Sequence, residues 1–230
     1  MSRLRECAGR GAAILAMAAA CAAPPGGTGG PAHAADGAPL QRSTASQDTT
    51  GIVPAGFGSL RQEEISIRLN HQGLTVQAMP MDEDFLRTLA PDSYRTLAAL
   101  RESKRPQLDS IAQRAGLTDV AVWYVTFRNF QQGEAPFSPQ DVTLTNVGRE
   151  FHPLDAIGIS SGFAQHRLAQ NETASGLLVF DRAINPNRDL TLRLETQTSG
   201  DWQAILQRVE LERSLIRSRA NAKGRGSLSW

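Results

Sequence analysis

The stretch Gly158-Ile159-Ser160-Ser161-Gly162 fits G-x-S-x-G, the pattern of a serine nucleophile elbow, with Ser160 in the nucleophile's place. That chemistry needs a tight strand-to-helix turn, which lifts the hydroxyl over a parallel sheet, and partners in the order serine, acid, histidine. Asp181, Asp189 and Asp201 follow Ser160, but the last histidine is His166, ahead of all three. The order for a secreted serine hydrolase is therefore broken, and a Gly/Ser-rich strand end explains the same five letters.

The chain has four histidines, His33, His71, His152 and His166, with no pair at i, i+4 and none at a zinc spacing. His152 neighbours Asp155 and His166 lies in FAQHRL, so an envelope metal-binding site would have to be assembled in space from scattered residues. Asp181, Asn185, Asn187 and Asp189 crowd oxygen donors into DRAINPNRDL. The segment lacks the glycine and distal glutamate of a calcium loop, and Asn-Pro-Asn is equally what a β-turn wants. The pairs Glu134/Asp141 and Asp181/Asp189 have no spacing that places two carboxylates about a glycosidic bond. Phe127, Phe130, Phe137 and Phe151 are candidates to line a groove, while Trp123, Phe163, Phe180 and Trp202 suit a core. Arg213, Arg217, Arg219, Lys223 and Arg225 read as a solvated helix end, cations at its negative pole. Asn171-Glu172-Thr173 matches a glycosylation acceptor, which in a bacterium marks only an exposed loop. The expectation is a protein without a catalytic residue, a metal or a cofactor.

Cys21 carries the chemistry that places the chain. Arg3, Arg5 and Arg10 precede a short apolar run from Ala12 to Ala20, the two opening parts of an export signal. That run is too short to cross roughly 30 Å of hydrocarbon. Ala18-Ala19-Ala20-Cys21 resembles the lipobox of bacterial lipoproteins, departing from it at Ala18, where the family prefers leucine. A competing cut at Ala32-His33-Ala34 lies more than ten residues past the apolar run. We expect a lipoprotein-type signal over 1–21, a membrane anchor through lipid on Cys21, and exposure in the bacterial cell envelope. Cys7 is the other cysteine, so the mature domain has no disulfide. Formal net charge is +1, of which the first twenty residues contribute +2. The near-neutral remainder excludes nucleic acid as a partner and leaves an unidentified envelope protein or ligand.

The elements that must position these residues begin after a Pro/Gly/Ala-rich tether over 22–60, expected to be disordered. EEISIRL and LTVQAM alternate apolar and polar about the turn Asn70–Gly73, predicting a hairpin. Helical spacing follows over about 82–116: a start at the acidic Asp82, Glu83 and Asp84, a second helix with Pro91 in its first turn, a break at Pro106, and a third short helix closed by Gly116. DVAVWYVTFRNF is apolar on both faces, which predicts a central strand. QDVTLTNVG, DAIGIS, ASGLLVF and DLTLRLET read as further short strands. Trp202, Ile205, Val209 and Ile216 predict a C-terminal helix, with Val209 and Leu211 allowing a strand within 201–212, and the tail from Asn221 is loose. The sum over 61–220 is a mainly β domain, an antiparallel immunoglobulin-like sandwich with a helical insertion and a C-terminal helix.

The runs APDSYRTLAAL, VWYVTF, FSPQDVTLTNVGREFHPL, GLLVFD and DWQAILQRVELERSLIRSR resemble uncharacterised bacterial lipoproteins with an immunoglobulin-like, telokin-like sandwich, over Glu63 to Arg219. The resemblance implies an extracytoplasmic binding or scaffolding domain and brings no catalytic residue with it.

Overall fold

The computed structural model describes residues 52–226. The expected signal, Cys21, the tether to residue 51 and the last four residues lie outside them.

Eleven strands carry the fold: β1 (Ile67–His71), β2 (Leu74–Pro80), β3 (Val120–Asn129), β4 (Ala135–Pro136), β5 (Val142–Asn146), β6 (Arg149–Phe151), β7 (Asp155–Gly158), β8 (Arg167–Leu168), β9 (Thr173–Asp181), β10 (Leu190–Leu194) and β11 (Gln197–Ser199). Their pairings are antiparallel, in a five-stranded sheet ordered β1-β2-β3-β9-β7, a four-stranded sheet ordered β11-β10-β5-β6, and the small pair β4-β8. The architecture is the expected mainly β sandwich with helical additions. Apolar on both faces, β3 sits at the centre of the larger sheet, between β2 and β9.

The inner face of the larger sheet presents Ile67, Leu69, Val76, Trp123, Val125, Phe127, Leu178 and Phe180, all buried. They share one core with Val142, Leu144, Leu190 and Leu192 of the smaller sheet. Gly176 of β9 lets this core close, because a Cβ there would meet the Phe163 ring at 2.4 Å. Helix α1 (Glu83–Leu86) and helix α3 (Trp202–Gly226) complete it. Phe85 stacks on Trp202 at 5.8 Å, Trp202 meets Trp123 at 5.6 Å, and the indole Nε1 of Trp202 donates to the Pro186 carbonyl. Burying such a side chain stabilises by about 1.5–3 kcal/mol, and the indole gives up no hydrogen bond in the process.

Three expectations are corrected. Pro106 does not break the insertion: helix α2 runs unbroken from Pro91 to Arg114. Proline removes one backbone donor and frees the carbonyl four residues earlier. Here Pro106 and Glu102 both face solvent, which leaves that carbonyl open to hydration, while Leu97, Leu108, Ile111 and Ala112 keep the buried stripe continuous across the proline. At the other end of the chain, α3 is the expected helix, with no strand in the stretch left open to one, and the tail from Asn221, expected to be loose, is what is corrected. The helix begins at Trp202 and continues past Ala220 to Gly226, because Trp202, Ile205, Val209 and Ile216 hold one buried stripe. The packed domain also starts earlier than residue 61. Val53 and Leu60 are buried, and Leu60 bridges to Leu89. The Arg87 Nη1 donates to the Val53 carbonyl, and Ser59 is held by the Glu212 carboxylate.

Among the described residues, no helix is long and apolar enough to cross a membrane.

Candidate functional site: the bare half of the outer sheet face

Directly opposed residues in antiparallel strands share a face. On the outer face of the larger sheet this produces ladders across β1, β2, β3 and β9. One rung is Arg68, Gln77, Thr126 and Ser175; the next is Asn70, Thr75, Arg128 and Thr173. Towards the start of β3 the same face changes character, to Met79, Tyr124 and Leu177, then to Val122 and Val179.

Helix α2 accounts for the change. Leu108 and Ala112 share a cleft with Val120 and Val122, Ile111 and Arg114 border Asp155 and Ile157 of the edge strand β7, and Arg114 pairs with Asp155 at 2.8 Å. The helix thus covers the apolar half of the outer face and leaves the polar rungs bare.

The bare half is a trough of about 720 Å³, rimmed by Glu63 and by Phe130, which is 51% exposed. Each of its two cations meets a neighbour on the face. With the Gln77 amide oxygen facing the guanidinium, Arg68 Nη2 and Nε donate to it at 2.8 and 2.9 Å. Arg128 lies over the Phe130 ring, 4.5 Å from its centroid, an exposed cation–π contact at the rim worth about 0.5–1 kcal/mol. Thr75 Oγ1 donates to Asn70 Oδ1. Two strand spacings across and two residues along separate Arg68 from Arg128, so their Cα atoms stand roughly 12 Å apart. The surface offers two positive forks and a field of hydroxyls and amides. It can bind; nothing in it is a nucleophile with a base.

A second recess of about 820 Å³ lies between α2 and the sheet, with an apolar floor of Leu86, Leu108, Val120 and Val122 under the charged Arg101 and Arg105. Beside it Tyr94 donates to Glu83 Oε1, and the phenol is raised above its ordinary value by burial and by that bond. Glu83 also pairs with Arg87. Asp82 is pushed up by burial, against the opposing pull of Arg182 and Arg101. Arg182 forks between Asp82 at 3.0 Å and Asp119 at 3.3 Å, tying the turn after β9 to the entry of α1.

The residues singled out from the sequence are dispersed. Ser160 ends the turn after β7, an edge strand of an antiparallel sheet, ahead of a short 3-10 turn over Ser161–Gln165, and its Oγ accepts from the Ser175 backbone N–H. His166, with φ of 55°, packs its ring 5.9 Å from Phe137. His152 Nδ1 lies 3.4 Å from Thr143 Oγ1, and His71 pairs with Glu195 at 3.0 Å. Among the described residues no three His, Cys, Asp or Glu side chains are grouped to hold a metal. The crowded oxygens of DRAINPNRDL serve turns: Asp181 Oδ1 accepts from Ala183 N, Asn185 Oδ1 from Asn187 N, and the Asn146 side chain clasps the loop at both ends. Glu134 pairs with Arg167.

Of the four phenylalanines considered for a groove, Phe127, Phe137 and Phe151 are buried, and only Phe130 borders one. Arg213 is not part of a solvated helix end. It is 7% exposed, over the Phe85 ring, and donates to Asn187 and Glu210. The rungs themselves were open to a reading of the sequence, since the even-numbered residues of β3 pass from Val120 and Val122 to Thr126 and Arg128 halfway along. That switch marks where an outer-face cover ends.

No family model and no curated protein matches the chain. Among solved structures it is similar to a functionally unknown protein from Listeria monocytogenes EGD-e, at 15% identity and a TM-score of 0.29, over 61% of this chain and 76% of that one.

Proposed function

We propose that this protein is an exported, lipid-anchored envelope protein that acts without catalysis, as a binding module presenting the bare half of its outer sheet face. Export and anchoring rest on the arginine-led apolar run and on Cys21. The observation that carries the binding role is the uneven cover of one sheet face. Helix α2 shields the apolar half, and the uncovered half holds two guanidiniums, each with a neighbour on the face, among hydrogen-bonding side chains.

The test has two arms. Intact mass of the protein from its own membrane fraction should show a diacylglyceryl group on an N-terminal Cys21, and Cys21→Ala should abolish it. An unmodified chain beginning near Ala35 would refute the anchor. Washed envelope material from cells lacking the protein should retain the unlipidated Cys21→Ala chain, and adding Thr126→Trp, which fills the trough from a strand position that tolerates an aromatic, should release it. Equal retention of the variant would refute the trough as the binding surface.

A further inference from the structure

The face has a chemistry narrow enough to choose among polar ligands. Its floor strands β2, β3 and β9 are hydrogen-bonded on both sides, and the edge strand β1 lies against β10 and β11 of the smaller sheet, which crowds an added peptide strand there. Among the residues lining the trough Phe130 is the single aromatic and Leu74 the single aliphatic, so a peptide's apolar side chains find little to anchor them. Two cations and one aromatic are too few to track a nucleic-acid backbone, and the domain supplies no wider positive field. What remains is a flat ligand, rich in hydroxyls, carrying isolated negative charges.

We infer that the trough binds an acidic polysaccharide, with sugar hydroxyls on the Asn70, Thr75, Thr126 and Thr173 side chains and spaced carboxylates on Arg68 and Arg128. This rests on the binding role proposed above and names the ligand class for that same surface. The charge pattern carries it. Arg68 and Arg128 lie on different strands and different rungs, roughly 12 Å apart, so they meet two separate carboxylates a few sugars apart and not one concentrated anion. Arg128 keeps donors free while its plane rests on Phe130, and Arg68 retains Nη1 beyond the two donors committed to Gln77. Exposed Phe130 gives the C–H face of a sugar ring a surface beside the Arg128 carboxylate site.

The experiment is affinity electrophoresis of the full chain through gels containing polygalacturonate, dextran or polyglutamate. Polygalacturonate should retard the protein, dextran should do so only weakly, and polyglutamate should not. Arg68→Gln and Arg128→Gln should each weaken polygalacturonate binding by about tenfold or more, the loss of one charge-assisted contact. Arg95→Gln, on the exposed side of α2, should leave it unchanged. Binding of polyglutamate equal to that of polygalacturonate would overturn the sugar assignment in favour of an acidic peptide. Binding that survives both arginine substitutions would overturn the site. If polygalacturonate fails while Thr126→Trp still releases the protein from envelope material, the ligand class is wrong and the binding role stands. If Thr126→Trp also has no effect, both fall.

Discussion

Two side chains show how local conformation and burial act on stability. The hairpin between β5 and β6 turns through Val147 and Gly148, with φ of 51° and 76°. Two positive φ values define the hairpin turn that favours Asn-Gly. A β-branched residue in that region is strained, and Val147 is 72% exposed, so no packing offsets the strain. Val147→Asn should stabilise the fold by about 1 kcal/mol, seen as a raised thermal midpoint. An unchanged or lower midpoint would mean that the valine side chain makes a contact that matters. Asp82 acts through its charge. Burial raises its folded-state value above 3.8, despite the opposing effect of Arg182. Below 3.8 both folded and unfolded chains hold the proton; above it the unfolded chain releases the proton first, so stability falls as pH climbs to the raised value and is flat beyond it. Asp82→Asn should remove that fall and leave the protein more stable at neutral pH, because Arg182 keeps Asp119 as a partner. Urea melts across roughly pH 4 to 7 would show it; a parallel fall in wild type and variant would assign the titration elsewhere.

At the scale of elements, α2 decides what the sheet exposes, and Pro106 is its costly residue. Pro106→Ala restores one helical donor at an exposed position and should stabilise by about 1–2 kcal/mol in denaturant melts, less than the full helix-interior penalty because the freed carbonyl faces solvent and proline restricts the unfolded chain. Destabilisation instead would show that the proline helps to seat Ile111 and Ala112. The alternations of Ile67 with Leu69 and of Leu74 with Val76, and the two-sided apolar run of β3, made the sheet legible in the sequence, because a strand's side-chain period is fixed by its backbone. Pro106 was misleading because its cost depends on whether the freed carbonyl meets water, which only the packing of α2 determines. Likewise Glu212 and Arg213 sit in a run of charges that reads as a surface, and their burial is set by what folds over them. The two arginine-bearing rungs were present as alternating polar residues. Their assembly into one trough required the register of four strands, three of them far apart along the chain.

For the whole molecule the question is where the domain begins, since whatever tethers it pulls at that point. Residues 52–60 form a strap over α3 and the loop after α1. Glu212, 4% exposed, accepts from both the backbone N–H and the hydroxyl of Ser59, and from Arg219, which itself reaches the Phe57 carbonyl. Gly58 passes so close to the Thr88 and Leu89 backbone that a Cβ would lie 2.4 Å from Thr88. Val53 and Leu60 contribute about 1.5–3 kcal/mol each by burial, and stripping Ser59 from Glu212 leaves a buried carboxylate short of two donors. A chain starting at residue 61 should therefore be less stable than one starting at residue 52 by about 4 kcal/mol, a large share of a typical domain's total. Urea melts of the two chains give the difference directly. If it is small, the strap merely lies on the surface and a pull on the chain would be borne near Arg61. If it is large, a pull from the N-terminal side enters through Glu212 and α3, and the trough-bearing sheet is held by the same core that resists it.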